Sequence, residues 1–122
     1  VEETELTRKL PVNPFVPETM EECNKRCAEI LNIQAMGLKK RLQHTNCKSG
    51  VIGISGGLDS TLALLVAVEA MRQSGRPASD VYGVTMPCFG TSDRTYQNAW
   101  ELMRKLEISC KDFSTDTLRL LL

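Results

Sequence analysis

The residues best equipped for chemistry stand together at Ser55-Gly56-Gly57-Leu58-Asp59-Ser60-Thr61. Two adjacent glycines take backbone angles barred to other residues and put no side chain in the way, so successive N–H groups can converge on an anion. Phosphate is the natural guest. Hydroxyls on Ser55, Ser60 and Thr61 add donors that can share the oxygens of a polyphosphate, and a helix starting here aims its positive end at the same point. Asp59 is the odd member. A carboxylate repels phosphates unless a divalent cation lies between, so Asp59 reads as a Mg²⁺ ligand or as an ordinary acid in a first helical turn. Two better-known phosphate loops are excluded by spacing. No lysine follows the glycines as G-x-x-x-x-G-K-[ST] requires, and Gly53, Gly56 and Gly57 do not match G-x-G-x-x-G.

The elements around this turn place it. Val51-Ile52-Gly53-Ile54 is a short apolar run that predicts a strand buried on both faces. The run Leu62 to Met71 is helical by propensity and is stopped by Gly75 and Pro77. Val81 to Met86 then predicts a second strand, and the interval of 30 residues between strand starts is that of a βαβ unit with parallel strands and a right-handed crossover. Ser92 can cap a third helix with Tyr96, Ala99, Met103 and Leu106 on its buried face, before a third strand at Ile108 to Phe113. The fold class expected is an open α/β parallel sheet with flanking helices. Ligands bind such sheets beyond the carboxyl ends of the strands, where Ser55 to Ser60 sits. The second strand ends at Met86-Pro87, with no acid to grip a ribose hydroxyl as in a dinucleotide fold, although Met86 can pack on a flat base.

Upstream, Pro11, Pro14 and Pro17 mark residues 1–17 as an extended arm or inter-domain linker. Thr19-Met20-Glu21-Glu22 has capping-box spacing, and Met20, Cys23, Cys27, Ile30, Leu31, Leu38 and Leu42 recur at helical steps to about Leu42. Lys39, Lys40 and Arg41 suit that helix's negative end. Downstream, Ser114, Thr115 or Asp116 can cap a further helix with barely a turn left before Leu122. Three parallel strands are fewer than such a sheet needs to bury both faces, so a fragment of a larger protein, prone to self-association, is expected.

Composition narrows the classes. Fifteen Lys and Arg balance fifteen Asp and Glu, with 42% hydrophobic and 25% charged residues, which is globular and argues against a polybasic nucleic-acid binder. The near-continuous apolar stretch from Leu62 to Ala70 is far short of the roughly 20 residues of a spanning helix, so no membrane partner is expected. Five cysteines, Cys23, Cys27, Cys47, Cys88 and Cys110, are an odd number without C-x-x-C spacing, which favours a reducing, cytoplasmic setting. Two of them with His44 make a poor zinc set, and Cys88 has no following His to act as its base.

Placed after a buried strand, Ser55-Gly56-Gly57-Leu58-Asp59-Ser60 resembles the S-G-G-x-D-S loop of the ATP pyrophosphatases, which release pyrophosphate while forming an adenylated intermediate. That loop is shared by NAD, GMP and asparagine synthetases and by tRNA-modifying enzymes. The flanks, Gly53 to Ala63, Gly83-Val84-Thr85-Met86-Pro87 and Thr91-Ser92, resemble the synthetase domain of the glutamine-dependent NAD synthetases, and Asn13-Pro14-Phe15-Val16-Pro17 is similar to the junction after that family's glutaminase domain. The resemblance implies an adenine nucleotide α-hydrolase-like, Rossmann-like fold, incomplete here. Residues 1–17 would be the linker from an upstream glutaminase domain, and 18–122 the N-terminal half of the ATP pyrophosphatase domain. It further implies ATP-dependent amidation of deamido-NAD through an adenylate attacked by glutamine-derived ammonia. Gly53, Ile54, Ser55, Gly56, Gly57, Leu58, Asp59 and Ser60 would line the ATP phosphates, with Asp59 as Mg²⁺ ligand and Met86 beside adenine. Thr91 and Ser92 are weaker assignments. The family's catalytic and deamido-NAD contacts would lie outside the chain, so this piece alone should bind ATP at most. The alternatives are another ATP pyrophosphatase and a non-catalytic nucleotide-binding module.

Overall fold

The computed structural model describes residues 7, 8, 10–87 and 91–113, so the expectations for Cys88 and for a cap at Ser114, Thr115 or Asp116 lie outside the described residues. The chain divides into two compact units, Val1–Ile30 and Leu31–Leu122. In the first unit, the Val16 amide donates to Asn13 O at 3.1 Å and Arg26 Nη1 donates to Phe15 O at 3.1 Å, so the proline segment is folded locally rather than simply extended.

Helix α1 spans Met20–His44. Its start follows the capping-box expectation in one direction: the Glu22 amide donates to Thr19 Oγ1 at 3.2 Å. Its predicted stripe is only partly covered. Ala35 is buried and Leu38 and Leu42 pack on the core, but Met20, Cys27 and Ile30 are exposed. Periodicity gives a helix its face and not the neighbour that covers it.

Strands β1 (Gly50–Gly53), β2 (Val81–Thr85) and β3 (Ser109–Asp112) form a parallel sheet in the order β1-β2-β3. Helices α2 (Leu58–Gln73) and α3 (Asp93–Lys105) connect them, as the alternation predicts. Between α2 and β2, a short 3₁₀ turn at Ala78–Asp80 is tied to β3 by Ser109 Oγ donating to Ser79 O at 2.7 Å. The three α-helices among the described residues end alike. Cys47, Arg76 and Ile108 amides reach back to Leu42, Met71 and Met103 carbonyls, with Asn46, Gly75 and Glu107 in the left-handed conformation between.

One core joins both crossover helices to one face of the sheet: Leu64, Ala67 and Met71 of α2, Ala99 and Met103 of α3, Val81, Ile54 and Ile108. The opposite face is open. Val51 is 71% exposed, and Tyr82, Gly53 and Lys111 are exposed as well. The expectation that Val51–Ile54 is buried on both faces is therefore corrected. β1 is an edge strand of a sheet whose two crossover helices lie on a single side, so alternate residues meet solvent.

Candidate nucleotide-binding site

The glycine turn begins where β1 leaves the ladder. Ile54 donates its amide to Val84 O at 2.7 Å and buries its side chain in the core, which fixes the chain direction just before the turn. Gly56 then adopts φ +82°, a left-handed conformation that favours glycine. A Cβ there would run into the backbone carbonyl of Thr95, in the first turn of α3. The turn is thus pressed against α3 with no room for a side chain.

Gly57 stands at the N-cap of α2 with no side-chain cap. Three hydrogen bonds that involve side chains converge on it. Thr61 Oγ1 donates to Gly57 O at 2.8 Å, Ser60 Oγ donates to the same carbonyl at 3.1 Å, and the Gly57 amide donates to Ser55 Oγ at 3.3 Å. Ser55 Oγ and Ser60 Oγ lie 3.1 Å apart, and with the Ser60 proton committed to Gly57 O, Ser55 is the donor between them. This revises the sequence expectation for the hydroxyls. In this structure Ser60 and Thr61 brace the backbone rather than point donors outward, because an N-cap glycine has no side chain of its own to hold the turn. No side chain caps the first turn of α2, so its backbone N–H groups have no side-chain acceptor, the arrangement in which a helix N-terminus can receive an anion.

Leu58 opens α2 with its side chain 83% exposed, and Asp59 follows, exposed and without a hydrogen-bond or ion-pair partner among the described residues. Among those residues no group of three or more His, Cys, Asp or Glu side chains converges on one point. A lone exposed carboxylate fits Mg²⁺ better than a cation caged by protein, because Mg²⁺ keeps several waters and completes its shell with substrate phosphates.

Beside the turn, at the carboxyl ends of β1 and β2, lies a cleft of about 380 Å³. Gly53, Ile54 and Ser55 form one rim and Met86 and Pro87 the other, with Thr91 and Tyr96 closing the side. Its volume falls in the ordinary range for small-molecule sites, roughly 300–1,000 Å³. The structure thus brings Met86, 63% exposed, to the same cleft as the start of the glycine turn. Ser92 serves as the N-cap of α3, its Oγ accepting from the Thr95 amide at 3.3 Å, while Thr91 faces the cleft. A larger groove of about 600 Å³ runs along α3 and contains no residue of the turn, so size alone does not mark the site.

Sequence reasoning did not single out Tyr96 as a site residue, placing it only on the buried face of the third helix. It is half-buried, lines the cleft, and donates its hydroxyl to Asp112 Oδ2 at 2.7 Å. That bond to a carboxylate holds the phenol proton on and raises its pKa above the ordinary value of 10, while Trp100 acts in the opposite direction. The signal available in the sequence was a tyrosine one turn inside a helix that follows a cleft-forming strand. Its partner lies 16 residues on, which no local pattern reveals.

With this geometry established, three comparisons bear on it. The family described as NAD synthase matches residues 30–120. Among curated relatives, the chain is 46% identical over 115 residues to the glutamine-dependent NAD(+) synthetase of Mycobacterium leprae, covering 90% of this chain, and 42% identical over 118 residues to that of Mycobacterium bovis, covering 96%. It spans 17% of the length of each. Among solved structures, a glutamine-dependent NAD+ synthetase from Acinetobacter baumannii in complex with ADP superposes with TM-score 0.65 at 29% identity, over 71% of this chain and 16% of that one. An NMN synthetase from Francisella tularensis superposes with TM-score 0.62 at 26% identity, over 71% of this chain and 34% of that one.

Proposed function

The chain belongs to the NAD synthase family, and from that premise we propose that it is the ATP-binding part of a glutamine-dependent NAD synthetase. The single observation that carries the reading is the uncapped first turn of α2 behind Gly56 and Gly57, opening beside a cleft that ends on Met86. The backbone amides would hold the ATP phosphates, and Met86 would pack on the base. The ADP complex of the Acinetobacter relative supports a nucleotide in this fold.

In the reaction we assign to the full-length polypeptide, a carboxylate oxygen of deamido-NAD attacks the α-phosphorus of ATP. The bond to the bridging oxygen breaks and pyrophosphate leaves. Ammonia derived from glutamine then attacks the activated carbonyl, and AMP departs with the bonding pair while the amide nitrogen loses a proton. This chain's share is electrostatic. Backbone amides already held in place by the turn would cost little reorganisation as charge grows on the leaving phosphates. Mg²⁺ at Asp59, when bound, supplies charge neutralisation there. Neither glycine nor the braced hydroxyls offer a nucleophile, and none is needed. An upstream glutaminase domain joined through residues 1–17, a homo-oligomeric assembly and a cytoplasmic location belong to the same proposal; among the described residues, no helix is long and apolar enough to cross a membrane.

The test supplies the full-length polypeptide with ATP, Mg²⁺, deamido-NAD and either glutamine or ammonia, and measures NAD, AMP and pyrophosphate. One equivalent of each is expected. Adenylation of another acceptor with no NAD formed would transfer the chain to a different ATP pyrophosphatase reaction. For the metal, Asp59→Ala should weaken ATP binding in Mg²⁺ and, with no cation between carboxylate and phosphates, leave Mg²⁺-free binding no weaker or slightly tighter. Equal affinity in both conditions removes the metal from the reading.

A further inference from the structure

We propose that the Thr85 hydroxyl is the buried polar anchor for the nucleoside half of the bound nucleotide. It stands unpaired on the floor of the cleft in the free protein and exchanges a hydrogen bond with the base or the ribose when the nucleotide fills it. The inference deepens the reading of the glycine turn as the polyphosphate site and rests on it.

Strand β2 is the central strand of the sheet, and Thr85 is its last residue. Alternation puts Thr85 on the side of Val81 and Gly83, toward the helices. It is the one polar residue among the described residues that the fold buries, at 4% exposure. Its carbonyl accepts from the Phe113 amide at 2.9 Å, but its hydroxyl has no hydrogen-bond partner among the described residues. Buried hydroxyls are nearly always paired, so this one calls for a reason.

Its location supplies the reason. Among the described residues, Trp100 Nε1 is the one buried side-chain polar atom that is sealed from solvent without a partner. Thr85 Oγ1, also unpartnered, is therefore not sealed, and the opening that Thr85 lines is the cleft beside the glycine turn. Ile54, Val84, Met86 and Pro87 make most of that cleft apolar. Ser55 Oγ is engaged inside the turn, and the Tyr96 hydroxyl donates to Asp112. Thr85 thus offers the cleft an uncommitted hydroxyl, able to donate and to accept.

Recognition is divided accordingly. The backbone amides of the turn grip an anion and are blind to what is attached to it. A hydroxyl in an apolar enclosure acts on the other half of the ligand, because a hydrogen bond made there is shielded from water. A ligand with no polar atom at that point leaves the hydroxyl stranded. The free protein is in that stranded state, so stability and nucleotide affinity make opposite demands on residue 85.

The experiment uses the full-length polypeptide in Mg²⁺ as wild type, Thr85→Val and Thr85→Ser. It measures equilibrium binding of ATP, ribose 5-triphosphate and inorganic tripolyphosphate, and the urea midpoint without ligand. Thr85→Val keeps the β-branch and removes the oxygen. It should weaken ATP binding by roughly tenfold, the scale of one directed hydrogen bond, with tripolyphosphate affinity unchanged. The ligand-free midpoint should hold or rise, since valine leaves no hydroxyl unpaired. Thr85→Ser keeps the oxygen and should retain most of the ATP affinity. A loss confined to ATP identifies the base as the partner, and an equal loss on ribose 5-triphosphate identifies the ribose; both uphold the inference. Unaltered ATP binding in Thr85→Val overturns it and spares the reading of the turn. A parallel loss of ATP and tripolyphosphate also overturns it, as does a lowered midpoint, which would mean that the hydroxyl serves the fold. Wild type that binds neither ATP nor tripolyphosphate overturns the reading of the turn and the inference together.

Discussion

The two faces of the sheet carry residues of similar type in very different surroundings. On the helix-covered face, Val81 and Met103 are completely buried, and Gly83 leaves room for only a hydrogen. On the opposite face, Val51 of β1 and Tyr82 of β2 meet solvent. The register pairs Gly50 with Val81 and Val51 with Tyr82, so the division runs cleanly across both strands. What differs is not the residue's own preference for a strand but what stands above it. The candidate site belongs to neither face: it lies at the carboxyl edge, where Ile54 anchors in the covered core and the following residues turn away.

If that contrast is real, the largest effect comes from emptying the covered face. Met103→Ala should cost about 2–5 kcal/mol, the range for large-to-small changes at a sealed site, read as a lower urea midpoint with an unchanged slope. Overfilling should come next. A Cβ on Gly83 would sit 2.5 Å from Met103 Sδ and 2.7 Å from Ile108 Cδ1. Both neighbours are long, so they can shift, but neither can swing into water. Gly83→Ala should therefore cost about 1–3 kcal/mol, and a neutral result would show that this core is looser than its contacts indicate.

How much of this was legible before the structure depends on the range of the interaction. The glycine turn, the parallel strands and the Ser92 cap follow from short spacings, and each is found where the residues predict it. The open face was not legible, because Val-Ile-Gly-Ile holds no polar residue to reveal a period of two. The inward turn of the Ser60 and Thr61 hydroxyls depends on one carbonyl, Gly57 O, being within reach, which a list of donors cannot show. Tyr96 required knowledge that β3 ends beside α3, and that is a property of the sheet order.

A smaller effect belongs to the outer surface of the helix layer. Glu69 accepts from Arg72 Nε and Nη2 at 2.7 and 2.6 Å and from Gln73 Nε2 at 2.9 Å, which lowers its carboxyl from 4.5 to about 2. A folded value below the unfolded one means stabilisation that is complete above about pH 4.5 and fades as pH falls toward about 2. Arg72 is 72% exposed, so solvent screening holds the contribution below about 1 kcal/mol. Glu69→Gln should flatten the acid limb of the stability curve in that window and leave the rest unchanged. A carboxyl midpoint near 4.5 by NMR titration would remove the basis for it.

The smallest effect is the most informative about the open face. Val51→Thr preserves the β-branch and strand preference and changes only a methyl for a hydroxyl. On a surface that water reaches, the hydroxyl is solvated and the cost should stay within about 0.5 kcal/mol. The same change at Val81 buries an oxygen among Leu64, Met71 and Met103, where an unpaired hydroxyl costs roughly 1–3 kcal/mol. The pair thus reports coverage directly. Repeating both substitutions in the full-length polypeptide extends the comparison: if the Val51 cost rises to match that of Val81, the open face is covered there by other parts of the protein. If Val51→Thr stays silent, the face meets water in both settings, and the asymmetry between the two sides of the sheet is a permanent property of the domain.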